Sequence, residues 1–465
     1  MIEMTLAEVA EAVSGHLIAA DPSAVVTGPV EYDSRLVAPG GLFVAFPGER
    51  VDGHDYAAAA HAAGAVAVLA TRPLPPGAQP IPTVLVDDAR TAMSALAHAV
   101  AARLTGLTIV GLTGSSGKTT TKDMVAQLLV GLGRTVAPTG SLNNELGYPY
   151  TVLRAGADTR YLALELGARG LGHIRYLCGI ARPHIGLVLN VGVAHLGEFG
   201  TVDAIAQAKG ELVEALPAGG LAVLNADDPR VRAMAARTAA RVVLAGEAPD
   251  AEVRATDVTL DERGRAAYTL LTPEGSAPVR LAVTGRHQVA NTLAAAAVAR
   301  ELGQPLPELA DALGRLRLVS TRRMDVFDRA DGVTVIDDSY NANPASTAAA
   351  LHALAALARD RRAIAVLGYL AELGGYERAG HEEVGRLAAE LGVDLLVAVG
   401  APAAPIHDGA AGVPRWGGKS VRVADQEEAI ALLRGELRPG DVVLVKGSRY
   451  RTWAVADALR AEAGQ

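Results

Sequence analysis

A chain of 465 residues, half of them hydrophobic and 20% charged, holds material for about three domains of ordinary globular size. Its net charge is −8 and no segment gathers basic residues, which removes the electrostatic footprint of nucleic-acid binding or of docking to an anionic membrane. A single cysteine, Cys178, rules out an internal disulfide framework and a cysteine-rich zinc site.

Residues 1–13 carry Glu3, Glu8 and Glu11 and no basic stretch, so they do not read as a secretory signal. The longest apolar run, residues 56–70, is interrupted by His61 and falls short of the ~20 residues that span a bilayer. The expectation is a soluble cytoplasmic protein without membrane insertion. Up to about Thr105, strand-like runs at 42–46, 65–69 and 83–86, a Pro/Gly stretch at 73–82 and a helix over 90–104 predict a small α/β unit. From Leu107, the apolar runs LTIVGL, YLALEL, IGLVLNV and LAVLN alternate with helical stretches, including one over 202–216, as parallel βαβ units do. Residues 252–283 switch to period-two alternation with turn signals at 262–264 and 273–275, an antiparallel patch, and a helix follows over 289–302. From about Leu316 the βα alternation returns: VTVIDD, a helix over 344–358, AIAVLG, a helix around 382–391, DLLVAVG, and VVLVKG with a last helix. The chain is thus expected to be α/β with three domains. Residues 1–106 form a small unit, 107–315 a parallel-sheet P-loop domain with an antiparallel patch, and 316–465 a Rossmann-like domain.

The most specific stretch is LTIVGLTGSSGKTTTK. A strand ends near Leu112, Gly114, Ser115, Ser116 and Gly117 make a tight turn, and Lys118, Thr119 and Thr120 open a helix. Such a turn points main-chain N–H groups and a helix N-terminus at an anion. Lys118 is placed to reach the terminal phosphates of ATP, and the Thr119 hydroxyl to ligate Mg²⁺. The spacing is a short TGxxGKT variant of the usual loop. Only five of the 43 basic residues are lysines, at positions 118, 122, 209, 419 and 446. A lysine kept against that bias is one that needs a compact amine.

Glu165 closes YLALELG and His195 closes IGLVLNVGVAHLG, both toward the carboxyl ends of strands, where open parallel sheets bind ligands. A carboxylate and an imidazole there suit Mg²⁺, although a salt-bridged strand end and a hydrogen-bonded loop histidine have the same appearance. Lys209, in IAQAKGELVEAL, reads on pattern alone as a solvated helix lysine. IDDSYNANP follows a strand, and Pro344 starts a helix, so Asp338, Tyr340, Asn341 and Asn343 gather at a ligand-binding end; an Asx-rich turn with a helix cap at Asn343 is the alternative. Lys446 and Arg449, in VLVKGSR, suit a carboxylate or phosphate, or belong to a plain strand–helix turn.

Taken in order, TGSSGKTTTK, LELG, NVGVAHL with AKGE, GRHQVANTLAA and DDSYNANP resemble the Mur ligase family over nearly the whole chain. DSRLVAPGGLFVAFPGERVDGHDY (33–56) resembles the family's N-terminal uridine-nucleotide module. IDDSYNANPAS, AELG (371–374) and VLVKGSR resemble the member that adds a D-alanyl-D-alanine dipeptide, and the Asp-Asn-Pro-Arg signature of the diaminopimelate- or lysine-adding member is absent. The resemblance implies an ATP- and Mg²⁺-dependent ligase whose substrates are UDP-N-acetylmuramoyl tripeptide and D-alanyl-D-alanine; a monomer is expected. It implies that Glu165 and His195 ligate Mg²⁺ and that Lys209 is carbamylated and joins them. It places Asn144 near the phosphates, Asn291 at the adenine, Arg323 and Asp338 on the closing C-terminal domain, and Asp33, Ser34 and Arg35 at the uridine diphosphate. Two positions depart from the pattern: Tyr369, where many relatives carry an acid, and Gln288, where asparagine is more frequent. A paralogue acting on a specialised peptide, a folylpolyglutamate-type ligase and a P-loop switch or transport ATPase are the competing readings.

Overall fold

The computed structural model describes residues 1–74 and 80–461; residues 75–79, within the predicted Pro/Gly stretch, lie outside them. Among the described residues, a two-stranded ribbon of Met4–Thr5 with Val25–Val26 accompanies three larger sheets that follow one another along the chain. The first has five strands in the order His16–Ile18, Thr83–Leu85, Ala67–Ala70, Leu42–Val44, Val30–Glu31. All its pairings are parallel except that of His16–Ile18 with Thr83–Leu85. The helix Ala89–Arg103, capped by the Asp88 carboxylate, packs against the helices Gly147–Val152 and His173–Ile180 of the next unit. One hydrophobic core therefore runs continuously from Met4 and Val100 to Leu162 and Leu224.

The central sheet has nine strands. Thr108–Thr113 lies between Tyr161–Glu165 and Ile185–Val188, with Thr135–Val136 at one edge. On the other side, Leu221–Asn225 and Arg241–Gly246 continue it in parallel, and Val253–Leu260, Arg265–Thr272 and Gly275–Thr284 add the expected antiparallel patch. The apolar runs are continuous because both faces are covered. Leu162 and Leu164 face one core, while Tyr161 and Ala163 face another that is closed by the helix Gln288–Glu301.

The third sheet orders its strands Asp325–Asp328, Thr334–Asp337, Val442–Lys446, Ala363–Leu367, Leu395–Val399, Lys419–Val423. It too is covered on both faces: Ile336 and Leu444 point to one core, Val335 and Val443 to the other. The helix Pro344–Ala358 has the predicted bounds, whereas the one expected around 382–391 begins earlier, at Glu377. The edge strands Asp325–Asp328 and Lys419–Val423 escaped the sequence reading because, half-exposed, they lack a buried apolar run. Among the described residues, no helix is long and apolar enough to cross a membrane.

Candidate active site

The phosphate-loop turn closes on a glycine for a steric reason. Gly117 has φ of +79°, and a Cβ there would lie 2.8 Å from Asn291 Oδ1. Asn190 shapes the turn from the neighbouring strand end, accepting from Ser116 N at 2.9 Å. Lys118, half-buried, donates to Gly114 O at 2.8 Å, so its ammonium is folded back over the loop. Burial lowers its pKa, and the nearby Glu165 opposes that shift.

Glu165 ends its strand 1% exposed, with both oxygens engaged. Oε2 accepts from Thr119 Oγ1 at 2.9 Å, and Oε1 from Ser141 Oγ at 3.0 Å and Asn143 Nδ2 at 2.6 Å. Arg323 Nη2 reaches Thr119 Oγ1 at 3.3 Å while its guanidinium lies 4.2 Å from the centre of the Tyr340 ring. The predicted Asn144 does not reach Glu165: its Oδ1 accepts from Gly147 N at 2.8 Å, at the start of the short helix Gly147–Val152. Its neighbour Asn143 makes the contact with Glu165.

His195 stands past the end of the strand Ile185–Val188, in a left-handed conformation with φ of +63°. Its Nδ1 lies 2.5 Å from Glu372 Oε2 and 3.6 Å from Glu198 Oε2, and lacks a hydrogen bond of good geometry. The His195 contact holds Glu372 at about 2, against the opposing effect of burial, and Arg449 at 3.0 Å adds to the lowering. Here the two backbones also touch. Gly197 N donates to Glu372 O at 3.0 Å, and a Cβ on Gly197 would sit 2.6 Å from Gly374 N.

Lys209 is 5% exposed on the helix Val202–Glu214, not a solvated surface lysine. Burial, and then the charge of Lys118, push its pKa well below the ordinary lysine value. From the C-terminal sheet, Lys446 Nζ lies 2.5 Å from Asp338 Oδ2 and donates to Asn341 O at 2.9 Å, while Asp338 Oδ1 accepts from Met324 N. Burial lowers the Lys446 pKa, with Asp338 opposing. Asn343 satisfies both readings of its motif: Oδ1 caps the helix Pro344–Ala358, and Nδ2 approaches Ser115 O at 3.5 Å.

These groups surround one cavity of about 430 Å³. Ser115 to Thr120, Glu165, His195 and Asn291 line it from the central unit, and Arg323, Asp338, Tyr340, Asn341, Asn343, Glu372 and Lys446 from the C-terminal one. Asn144 lines it as well. Lys209 and Arg449 are not among the lining residues. Nor are Asp33, Ser34 and Arg35, which form a turn beside the N-terminal sheet in which Asp33 accepts from Arg35 N and Nε. The arrangement offers loop N–H groups, the cations Lys118, Arg323 and Lys446 and a buried oxygen set, as phosphoryl transfer requires. Sequence reasoning missed Ser141, Asn143, Glu198 and Glu372. NNELG held a signal for Asn143, and AELG held one for Glu372.

Three family descriptions match the chain in order: Mur ligase family, catalytic domain, over residues 29–101; Mur ligase middle domain over 112–299; and Mur ligase, glutamate ligase domain, over 322–449. The UDP-N-acetylmuramoyl-tripeptide–D-alanyl-D-alanine ligase of Mycobacterium tuberculosis is 51% identical, over 99% of this chain and 98% of that protein. A crystal structure of MurF from Acinetobacter baumannii superposes with a TM-score of 0.88 at 33% identity, covering 98% of this chain and 99% of that one. MurF ligase from Thermotoga maritima in complex with ADP gives a TM-score of 0.80 at 29% identity, over 94% and 98%. With its motifs, its successive α/β units and its relatives in agreement, this chain belongs to the Mur ligase family.

Proposed function

We propose that the chain is a cytoplasmic, monomeric, ATP-dependent amide ligase that joins D-alanyl-D-alanine to UDP-N-acetylmuramoyl tripeptide, giving the pentapeptide used in peptidoglycan synthesis. The γ-phosphoryl of ATP passes to the terminal carboxylate of the tripeptide, and ADP departs. The dipeptide amine then attacks the acyl phosphate carbon. A C–N bond forms, the C–O bond to phosphate breaks, inorganic phosphate leaves and the amine proton goes to solvent. The observation that carries this reading is a single cavity walled jointly by the phosphate loop and by the DDSYNANP and VKGSR motifs of the C-terminal unit.

In this reading the Lys118 ammonium leaves Gly114 O for the transferring phosphoryl group, and Arg323 moves from Thr119 onto the same phosphates. The donor set fits Mg²⁺: Glu165 is a buried carboxylate among hydroxyls, and His195 Nδ1 is buried without a well-made hydrogen bond. Mg²⁺ held there supplies charge neutralisation on the phosphate oxygens. Lys209, with its ammonium disfavoured by burial, is suited to carbamylation, which turns a cation into an oxygen ligand. Asn144 and Asn291 serve the nucleotide, and Asp338 orients Lys446. Asp33, Ser34 and Arg35 receive the uridine diphosphate, and Tyr340, Asn341, Asn343, Lys446 and Arg449 serve the acceptor side. Residues 1–106, 107–315 and 316–465 act as three domains closing around the reactants and excluding water from the acyl phosphate. Phosphate release measured with ATP alone, with each acceptor and with both tests the reading. Turnover that needs both acceptors supports it; equal turnover with ATP alone favours a phosphate-loop ATPase.

A further inference from the structure

The helix that begins at the phosphate loop, Lys118–Val130, carries a polar stripe of which the mechanism uses only the first residue. Thr119, Asp123 and Gln127 recur every four residues and so share one face. Each meets the segment that joins the central to the C-terminal sheet. Arg323 Nη2 donates to Thr119 Oγ1 at 3.3 Å, and Ser320 N donates to Asp123 Oδ2 at 3.2 Å. Gln127 bonds the main chain of Arg317 twice, giving Nε2–H to its carbonyl at 2.9 Å and accepting its N–H on Oε1 at 3.0 Å. The other Nε2 hydrogen goes to Asp123 O at 3.1 Å, so both N–H groups of the amide are used. Partners at 323, 320 and 317 show the segment running antiparallel along the helix.

The contacts set a register that the covalent chain does not impose. Eight helical residues rise about 12 Å, whereas six linker residues reach about 20 Å when extended. The linker thus has slack, and side chains take it up. Leu316 is buried in the central core, and Leu318 packs against both the central and the C-terminal cores. Asp123 is itself anchored. Fully buried Lys122 brings Nζ to 2.5 Å from Asp123 Oδ1 and to 2.5 Å from Pro138 O, with Gly140 O at 3.2 Å. Pro138 and Gly140 lead directly into Ser141 and Asn143, the residues that hold Glu165. This gives a role to a lysine kept in a chain that otherwise prefers arginine.

We propose that Asp123 and Gln127 are positioning residues that clamp the interdomain linker on the phosphate-loop helix so that Arg323 is delivered to the phosphates. Lys122 locks Asp123 and the Ser141–Asn143 loop into the same frame. The inference rests on the ligase reading for its catalytic consequence, but the clamp is a physical contact that stands or falls without it.

Two measurements on the full chain test it. Hydrogen exchange of the ligand-free protein reads the clamp directly: Gln127→Met keeps the side-chain volume, removes both bonds to Arg317, and should speed exchange across residues 316–324 at least tenfold, with the central strands unchanged. Unchanged protection there overturns the clamp whatever reaction the enzyme performs. Ligation kinetics then read the consequence. Gln127→Met and Asp123→Asn should each lower kcat by about tenfold, roughly one decade per 1.4 kcal/mol, and in an Arg323→Ala background add less than about twofold. Losses that multiply fully with that of Arg323→Ala overturn positioning through Arg323. Absence of ligation in the unaltered chain overturns the ligase reading instead and leaves the exchange result to decide the clamp.

Discussion

Replacing Glu165 by glutamine removes a charge and exchanges one acceptor for a donor while keeping the shape. Oε1, which accepts from Ser141 and Asn143, can remain an oxygen. The new amide nitrogen then faces Thr119 Oγ1 at 2.9 Å, so that hydrogen bond reverses rather than disappears. Three hydrogen bonds to a charged acceptor, each worth about 1.5–3 kcal/mol, become neutral ones worth about 0.5–1.5, a loss of roughly 3–4.5 kcal/mol in all. Burial of the ionised carboxylate, which costs several kcal/mol, is relieved at the same time. The two terms nearly cancel, so Tm should stay within a few degrees of the unaltered protein. Activity should not be spared. Without the buried anion, kcat at saturating ATP should fall on the order of 10²-fold, or about 2.7 kcal/mol, and the Mg²⁺ requirement should rise. Coupled ADP release across a Mg²⁺ titration and a melt of the same sample measure both. Near-normal ligation would refute the role of Glu165; a Tm loss above about 10 °C would refute the cancellation.

Lys209→Ala should fold normally, since the group removed is a buried amine whose charged form burial already disfavours, yet be almost inactive, and added short-chain carboxylates should restore part of the rate; full activity removes Lys209 from the mechanism. Gly117→Ala forces a side chain into φ of +79°, about 1–2 kcal/mol, and presses Asn291, so ADP affinity measured by calorimetry should fall about tenfold or more. The Glu372 carboxyl sits at about 2 in the folded chain against an ordinary 4.5. Its contribution is therefore present above 4.5 and lost as pH falls toward 2, so the Tm gap between the unaltered chain and Glu372→Gln should close over that range. A gap that stays constant to low pH would show that the ion pair with His195 contributes nothing.

The elements that were legible in sequence are those whose signal is local. Buried strands such as Tyr161–Glu165 and Val442–Lys446 announce themselves as unbroken apolar runs because helices cover both faces. The phosphate loop was legible because a glycine turn, a lysine and a threonine must be contiguous to do their work. What was hidden depends on apposition. Asn143 and Asn144 are indistinguishable neighbours until the fold turns the first to Glu165 and the second to the Gly147 N–H. Glu372 and His195 are distant in the chain, and only the seating of the C-terminal unit brings them to 2.5 Å. Lys209 looked like a surface lysine because AKGE on an amphipathic helix does not say which way the helix faces. The linker contacts of Asp123 and Gln127 gave no pattern beyond an ordinary helical stripe.

Product mass decides most directly whether the chain joins the two acceptors. Incubation with ATP, Mg²⁺, UDP-N-acetylmuramoyl tripeptide and D-alanyl-D-alanine should yield a UDP-muramoyl pentapeptide, the two acceptor masses joined less one water, with one ADP and one phosphate per amide formed. ADP and phosphate accumulating in the presence of both acceptors, with the tripeptide nucleotide unchanged in mass, would contradict the account.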